Sequence, residues 1–172
     1  DPNRVPEAQV IERLTYNEAM ELAYFGAKVI HPQTLRPAID NDIPVIIRNS
    51  YRPEHPGSRI EAQSIPSDKI KGITAIGGMA LVNVEGAGMI GVPGTADRLF
   101  AALKNAGVSV TLISQASSEH SICIAVPEDV AERARKVITD AFSDELESGQ
   151  IHSVDINMSQ SIVAVVGDGM AG

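Results

Sequence analysis

Six residues, 115–120, separate two apolar runs, "VSVTLIS" (108–114) and "SICIAV" (121–126). A crossover helix between parallel strands needs about ten to twelve residues, so these runs must pair as an antiparallel hairpin. The constraint decides how an upstream motif is read. "VEGAGMIGVPGTADRLF" (84–100) places Gly86-x-Gly88-x-x-Gly91 between an apolar run and a helical pattern, as a dinucleotide-binding unit does. Such a unit continues with a second crossover helix and carries Asp or Glu about 20 residues on, to hold a ribose hydroxyl. Here that place is Thr111, followed by Ser114 and Gln115 at the strand end. Both contexts fail, and the dinucleotide reading with them.

The elements around the hairpin are short and regular. Residues 70–76 and 79–86 read as strands, the second with Ala80, Val82 and Val84 on one face. Residues 95–107 read as a helix capped by Thr95, with Leu99, Phe100 and Leu103 inward and Gly107 past its end. A helix over 127–142 has Pro127 near its first turn and Val130, Ala134, Val137, Ile138 and Ala141 on one stripe. Residues 151–156 supply a last strand. The order is βαββαβ, an α+β fold of the ferredoxin-like kind, with two helices on one face of an antiparallel sheet. Gly86, Gly88, Gly91 and Gly94 are expected to supply positive φ where strand turns into helix. The free amides near Gly94 and Thr95 then form a socket suited to a carboxylate. Asp97 answers the helix dipole. Cys123 is expected to be a small core residue, and "SDELESG" (143–149) a solvated loop.

The first 60 residues follow another pattern. Thr15 and Glu18 form a capping box for a helix with Ala19, Leu22, Ala23 and Phe25 on one face and Gly26 as its stop. His31-Pro32 opens a second helix reaching about Asn41, His31 serving structurally. "IPVIIRNS" (43–50) reads as a continuous, fully buried strand, so this region is expected to be an edge fragment of a parallel α/β layer. A surface linker, 51–68, follows, with three prolines and scattered charges. The chain begins at Asp1-Pro2-Asn3-Arg4 without an initiator Met, as a piece from the middle of something longer would.

Composition narrows the classes. The 172 residues are 44% hydrophobic and 21% charged, with a net charge of −8, which disfavours nucleic acid as partner. No apolar run approaches the roughly 20 residues of a membrane span. One cysteine fits a reducing cytoplasm. His31, His55, His120 and His152 are scattered without ligand spacing, so no metal site is expected.

An internal echo completes the pattern. "VEGAGMIG" (84–91) recurs as "VVGDGMAG" (165–172), again after an apolar strand and 81 positions later, about one βαββαβ module. On these residues the C-terminal part resembles the ACT regulatory domains of aspartokinases. "FGAKVIHPQTL" (25–35) is similar to the F-G-A-K-V-[LI]-H-P signature of the aspartokinase catalytic domain, and "DIPVIIRN" with Pro56-Gly57 resembles its last strand and turn. "LISQASSEHSICIAVP" (112–127) and "VVGDGM" (165–170) look more like the bifunctional, threonine-sensitive aspartokinase–homoserine dehydrogenases. The implied domains are the end of an amino-acid kinase fold with linker (1–63), an ACT domain (64–158) and the start of a second ACT repeat (159–172).

The resemblance implies a parent that phosphorylates L-aspartate with ATP and Mg2+, and NADP only if a homoserine dehydrogenase domain follows. It places Lys28 at the ATP phosphates. The family's D-P-R appears as Asp1-Pro2-Asn3 with the arginine one place on, at Arg4. The phosphate loop and catalytic base are expected upstream, so this piece alone should not phosphorylate anything. For an amino-acid effector, the amides at Gly94 and Thr95 suit the carboxylate, carbonyls near Met89 and Val110 the ammonium, and Gln115 a hydroxyl side chain. Lysine-sensitive relatives carry an acidic residue where this chain has Thr111, so L-threonine is favoured over lysine. The resemblance further implies a homodimer paired through ACT domains. The alternatives are a stand-alone ACT ligand-binding or dimerisation module and a lysine-sensitive monofunctional aspartokinase.

Overall fold

The computed structural model describes residues 5–27, 29–63, 70–89, 92–115 and 120–170. The chain divides into two compact units, Asp1–Ile76 with Ile162–Gly172, and Gly77–Ser161.

In the first unit β1 (Arg13–Thr15) runs directly into α1 (Tyr16–Tyr24), and α2 (Pro32–Asp40), β2 (Val45–Ile47) and β3 (Ser58–Glu61) follow. The capping box forms as its sequence implies: Thr15 Oγ1 accepts from the Glu18 amide at 3.1 Å and Glu18 Oε2 from the Thr15 amide at 2.9 Å. Two orphan donors of the helix start are thereby satisfied. His31 caps α2, its Nδ1 accepting from the Gln33 amide, the structural role expected for it. Leu14, Tyr16, Ala19, Leu35, Ala38 and Ile60 form this unit's core, and the Tyr16 hydroxyl donates to the Ile43 carbonyl at 2.7 Å.

Two expectations fail here. The strand order is β1-β3-β2, with β1 parallel and β2 antiparallel to β3, so the layer is mixed and β2 lies at its edge. Instead of a buried strand over 43–50, three residues pair and Ile46 is 55% exposed. An apolar run reads as buried on both faces, but here the face that carries Ile46 is open to solvent. The expected surface linker supplies the central strand, β3, with Ile60 fully buried. A single isoleucine among prolines and charges carries no alternation to read.

The second unit is the βαββαβ module. Its elements are β4 (Gly72–Glu85), α3 (Thr95–Asn105), β5 (Leu112–Gln115), β6 (Ser121–Pro127), α4 (Ala131–Ala141), the short α5 (Ser143–Glu147) and β7 (Ser153–Val166); β4 and β7 contribute residues to both units. The sheet order is β5-β6-β4-β7, the ferredoxin-like order, and β5–β6 is the antiparallel hairpin, Ile113 facing Ile124. The Lys71 amide bonds to the Val166 carbonyl and the His152 amide to that of Glu85, so β4 and β7 are antiparallel too. Ala80, Val82 and Val84 from β4 and Ile122, Ile124 and Val126 from β6 meet Leu99 and Leu103 of α3 and Ala131, Ala134 and Ile138 of α4. Burying each large aliphatic side chain contributes about 1.5–3 kcal/mol.

Three local expectations change. Residues 70–76 and 79–86 are one 14-residue strand. The run 143–149 is not a loop, because α5 forms there and Glu145 finds a partner on α3. Cys123 is half-buried rather than core: Ile122 and Ile124 point to the helices, and period-two alternation turns Cys123 to the other face, between Asn83 and Ser114. Partial burial pushes its thiol pKa up, which lowers its thiolate fraction.

Candidate functional site

The chain leaves β4 at Glu85 and makes a single 3-10 turn, Ala87–Met89. Gly86 donates to the His120 carbonyl and Gly88 to the Gln150 carbonyl, both at 2.9 Å. A Cβ on Gly86 would lie 2.3 Å from the Gln150 oxygen and 2.5 Å from the Ile151 Cα; one on Gly88 would lie 2.4 Å from the Gln150 Cβ. The glycines therefore let the turn lie flush on the Gln150–Ile151 backbone. Positive φ, expected at both, is absent from both and present at Gly94, at 89°. Gly91 lies outside the described residues.

That left-handed glycine, not Thr95, is the N-cap of α3. The Thr95 hydroxyl donates instead to the Val92 carbonyl at 3.1 Å, so no side chain caps the helix. Its first amides remain available to an anion.

Beside this helix start is a depression of about 320 Å3 lined by Met89, Val92, Pro93, Gly94, Thr95, Ala96, Gln115 and Ile122. Four of the residues singled out from sequence, Met89, Gly94, Thr95 and Gln115, thus come together. Val110 and Thr111 are not among its lining residues: Val110 packs against the core and the Thr111 amide donates to the Ala125 carbonyl. The segment between α3 and β5 is held to the helix, Val108 bonding to the Leu103 carbonyl. No described residue lining this depression is charged. Gln115, last residue of β5, brings an amide able to donate and accept.

An adjoining depression of about 300 Å3 shares Met89, Val92, Pro93, Gly94 and Thr95 with the first and adds Gly88, Asp97, Arg98, Phe142, Glu145, Gln150 and Ile151. Arg98 and Glu145 form a bidentate pair at 2.6 and 2.9 Å, Arg98 also donates to the Ala141 carbonyl, and its guanidinium lies 4.4 Å above the Phe142 ring. The hydrogen bond from Arg98 holds the Glu145 carboxyl below its ordinary range, and Glu145 raises Arg98 in turn. Sequence reasoning missed this pair; its only signal is an arginine on a helix and a short acidic run 47 residues later.

Lys28, Asp1 and Arg4 lie outside the described residues. Among the described residues no group of three or more His, Cys, Asp or Glu side chains gathers to hold a metal ion, and no helix is long and apolar enough to cross a membrane.

Comparison with known proteins agrees with this architecture. Residues 82–142 match the ACT domain model and residues 1–49 the amino acid kinase family model. The class is therefore an amino acid kinase segment followed by an ACT regulatory domain. Over 99% of its length the chain is 46% identical to a bifunctional aspartokinase/homoserine dehydrogenase of Haemophilus influenzae and 45% identical to a chloroplastic one of Daucus carota. It spans about a fifth of those curated relatives, 21% and 19% of their lengths. The crystal structure of Clostridium acetobutylicum aspartate kinase is 26% identical with a TM-score of 0.85, covering 99% of this chain and 39% of that one. E. coli aspartokinase III in complex with lysine and aspartate is 27% identical with a TM-score of 0.74, covering 97% of this chain and 36% of that one. Over nearly its whole length the chain is thus similar to a segment of the aspartokinases that joins the amino acid kinase fold to an ACT domain.

Proposed function

We propose that this chain is the effector-sensing end of an aspartate kinase, which transfers phosphate from Mg2+-ATP to L-aspartate in amino-acid biosynthesis and is feedback-inhibited by L-threonine. The observation that carries this reading is the depression between the uncapped start of α3 and Gln115. Helix amides there suit an α-carboxylate, and the Gln115 amide suits a hydroxyl. Lysine would bring a side-chain ammonium, for which the described residues lining this depression offer no carboxylate; those of the adjoining depression are Asp97 and Glu145, the latter already paired with Arg98. A structural neighbour described as bound to lysine and aspartate supports an amino acid as the class of effector.

In this reading Lys28, Asp1 and Arg4 belong to the ATP site of the longer protein, and this chain alone is inactive. A homoserine dehydrogenase domain, and with it NADP, follows if the parent is bifunctional like the relatives named above. Pairing of ACT domains makes the protein a homodimer, and its single cysteine fits a cytoplasmic setting.

Calorimetric titration of the chain with L-threonine and L-lysine tests the effector. Saturable heat with threonine alone, lost in Gln115→Ala, is expected; heat with lysine instead, or threonine binding unaltered by Gln115→Ala, counts against it.

A further inference from the structure

Helix α1 is gripped at both ends by residues far away in sequence. At its start the Thr15 hydroxyl donates to Asp168 Oδ2 at 2.7 Å, and the Asp168 amide donates to Glu18 Oε1 at 3.0 Å. Glu18 is only 2% exposed, so its carboxylate takes one amide from the cap and one from the turn after β7. Two part-buried hydrogen bonds thus depend on one buried side chain, and losing it takes that acceptor from both amides. At the other end the Phe25 carbonyl accepts from the Thr74 hydroxyl of β4 at 2.9 Å. Gly26, at φ 113°, lets the backbone of Ala75 approach so closely that a Cβ would lie 2.7 Å from its oxygen.

Asp168 and Thr74 thus hold the two ends of the helix that leads, three positions after Phe25, to Lys28. Asp168 belongs to the second glycine turn, the sequence counterpart of the turn beside the candidate effector depression. We infer that α1 is a strut through which the second glycine turn positions Phe25–Ala27, the part of the F-G-A-K signature among the described residues, with Asp168 and Thr74 as the positioning residues. Coupling of this kind is reciprocal: whatever stabilises the turn in one arrangement stabilises one arrangement of α1. The link from strut to kinase rests on the reading above; the strut itself does not.

Amide hydrogen exchange on the full 172-residue chain tests the strut without any ligand. Loss of one hydrogen bond in Asp168→Ala is expected to speed exchange at the Thr15 and Glu18 amides about fivefold, and at the Ala27 amide beyond the far end. The Val108 amide should be unchanged. Asp168→Asn, which keeps an acceptor oxygen, should exchange as wild type does. Thr74→Val, a nearly isosteric change, should speed Ala27 and Glu18 together. Exchange at Glu18 within about twofold of wild type in Asp168→Ala, an effect that stops short of Ala27, or an equal rise at Val108 each overturns the strut.

In the longer kinase, Asp168→Ala is expected to raise KM for ATP while leaving threonine binding intact; an unchanged KM overturns the positioning role. Failure of threonine to inhibit the wild-type kinase would count against the effector reading alone.

Discussion

The turn after β4 and the turn after β7 share the pattern V-x-G-x-G-M, and each closes in one 3-10 turn, Ala87–Met89 and Asp168–Met170. They differ in what holds them. The first is held by backbone: Gly86 and Gly88 lie against Gln150–Ile151 with no room for a Cβ. The second is held by side chains, because Asp168 stands where the first has Ala87 and bonds to Thr15 and Glu18. Near-identical local sequence thus gives similar local geometry with two kinds of attachment. A turn seated on backbone answers to steric change, whereas one seated on carboxylates answers to the loss of a hydrogen-bonding group.

The largest expected effect follows from the steric attachment. Gly86→Ala forces the Gln150–Ile151 backbone away and should destabilise the second unit by about 2–4 kcal/mol, read as a lowered urea midpoint. A wild-type midpoint would mean that the close approach relaxes freely. The side-chain attachment should be weaker. Glu18→Ala leaves the Thr15 and Asp168 amides without their acceptor and should cost about 1–3 kcal/mol, seen as faster exchange in the first unit and none in the second.

The smallest effect concerns the brace behind the first turn. Glu145 pairs with Arg98, and its carbonyl accepts from the Ile151 amide on which the turn rests. Its carboxyl titrates below the ordinary value of 4.5, so its contribution is complete above that value. It is lost as pH falls through the lower, folded-state value, while Arg98 stays charged. Both side chains are partly solvated, so the pair is worth about 0.5–1 kcal/mol. Arg98→Ala should lose that much at neutral pH and lose less to acid than wild type does. Parallel stability curves against pH for the two proteins would remove the pair from this account.

Much of the architecture was legible because it rests on periodicity and chain length. Residues 115–120 are too few for a crossover, and Leu99, Leu103, Ala134 and Ile138 recur at helical spacing, so the βαββαβ order follows. The capping box at Thr15 and Glu18 is local and was equally readable. β3 was not, because Ile60 becomes buried only when β1 and β2 flank it. The α3 cap was misplaced for a similar reason: Thr95 has the chemistry of a cap, but its hydroxyl is taken by the Val92 carbonyl and Gly94 adopts the left-handed backbone. Of the site, Gln115, Met89, Gly94 and Thr95 converge as their places at strand and helix ends require, while Val110 and Thr111 are drawn away by the helix–strand connection.

By itself, then, the sequence determined the order of elements, their inward faces and the two glycine turns, since spacing, capping and turn chemistry act over a few residues. Only the tertiary structure decided that Gly86 and Gly88 serve close packing rather than positive φ, that Arg98 meets Glu145, and that Asp168 reaches back 150 positions to Glu18. Such pairings depend on distances between segments that no local pattern encodes, and they exist only once the chain has closed on itself.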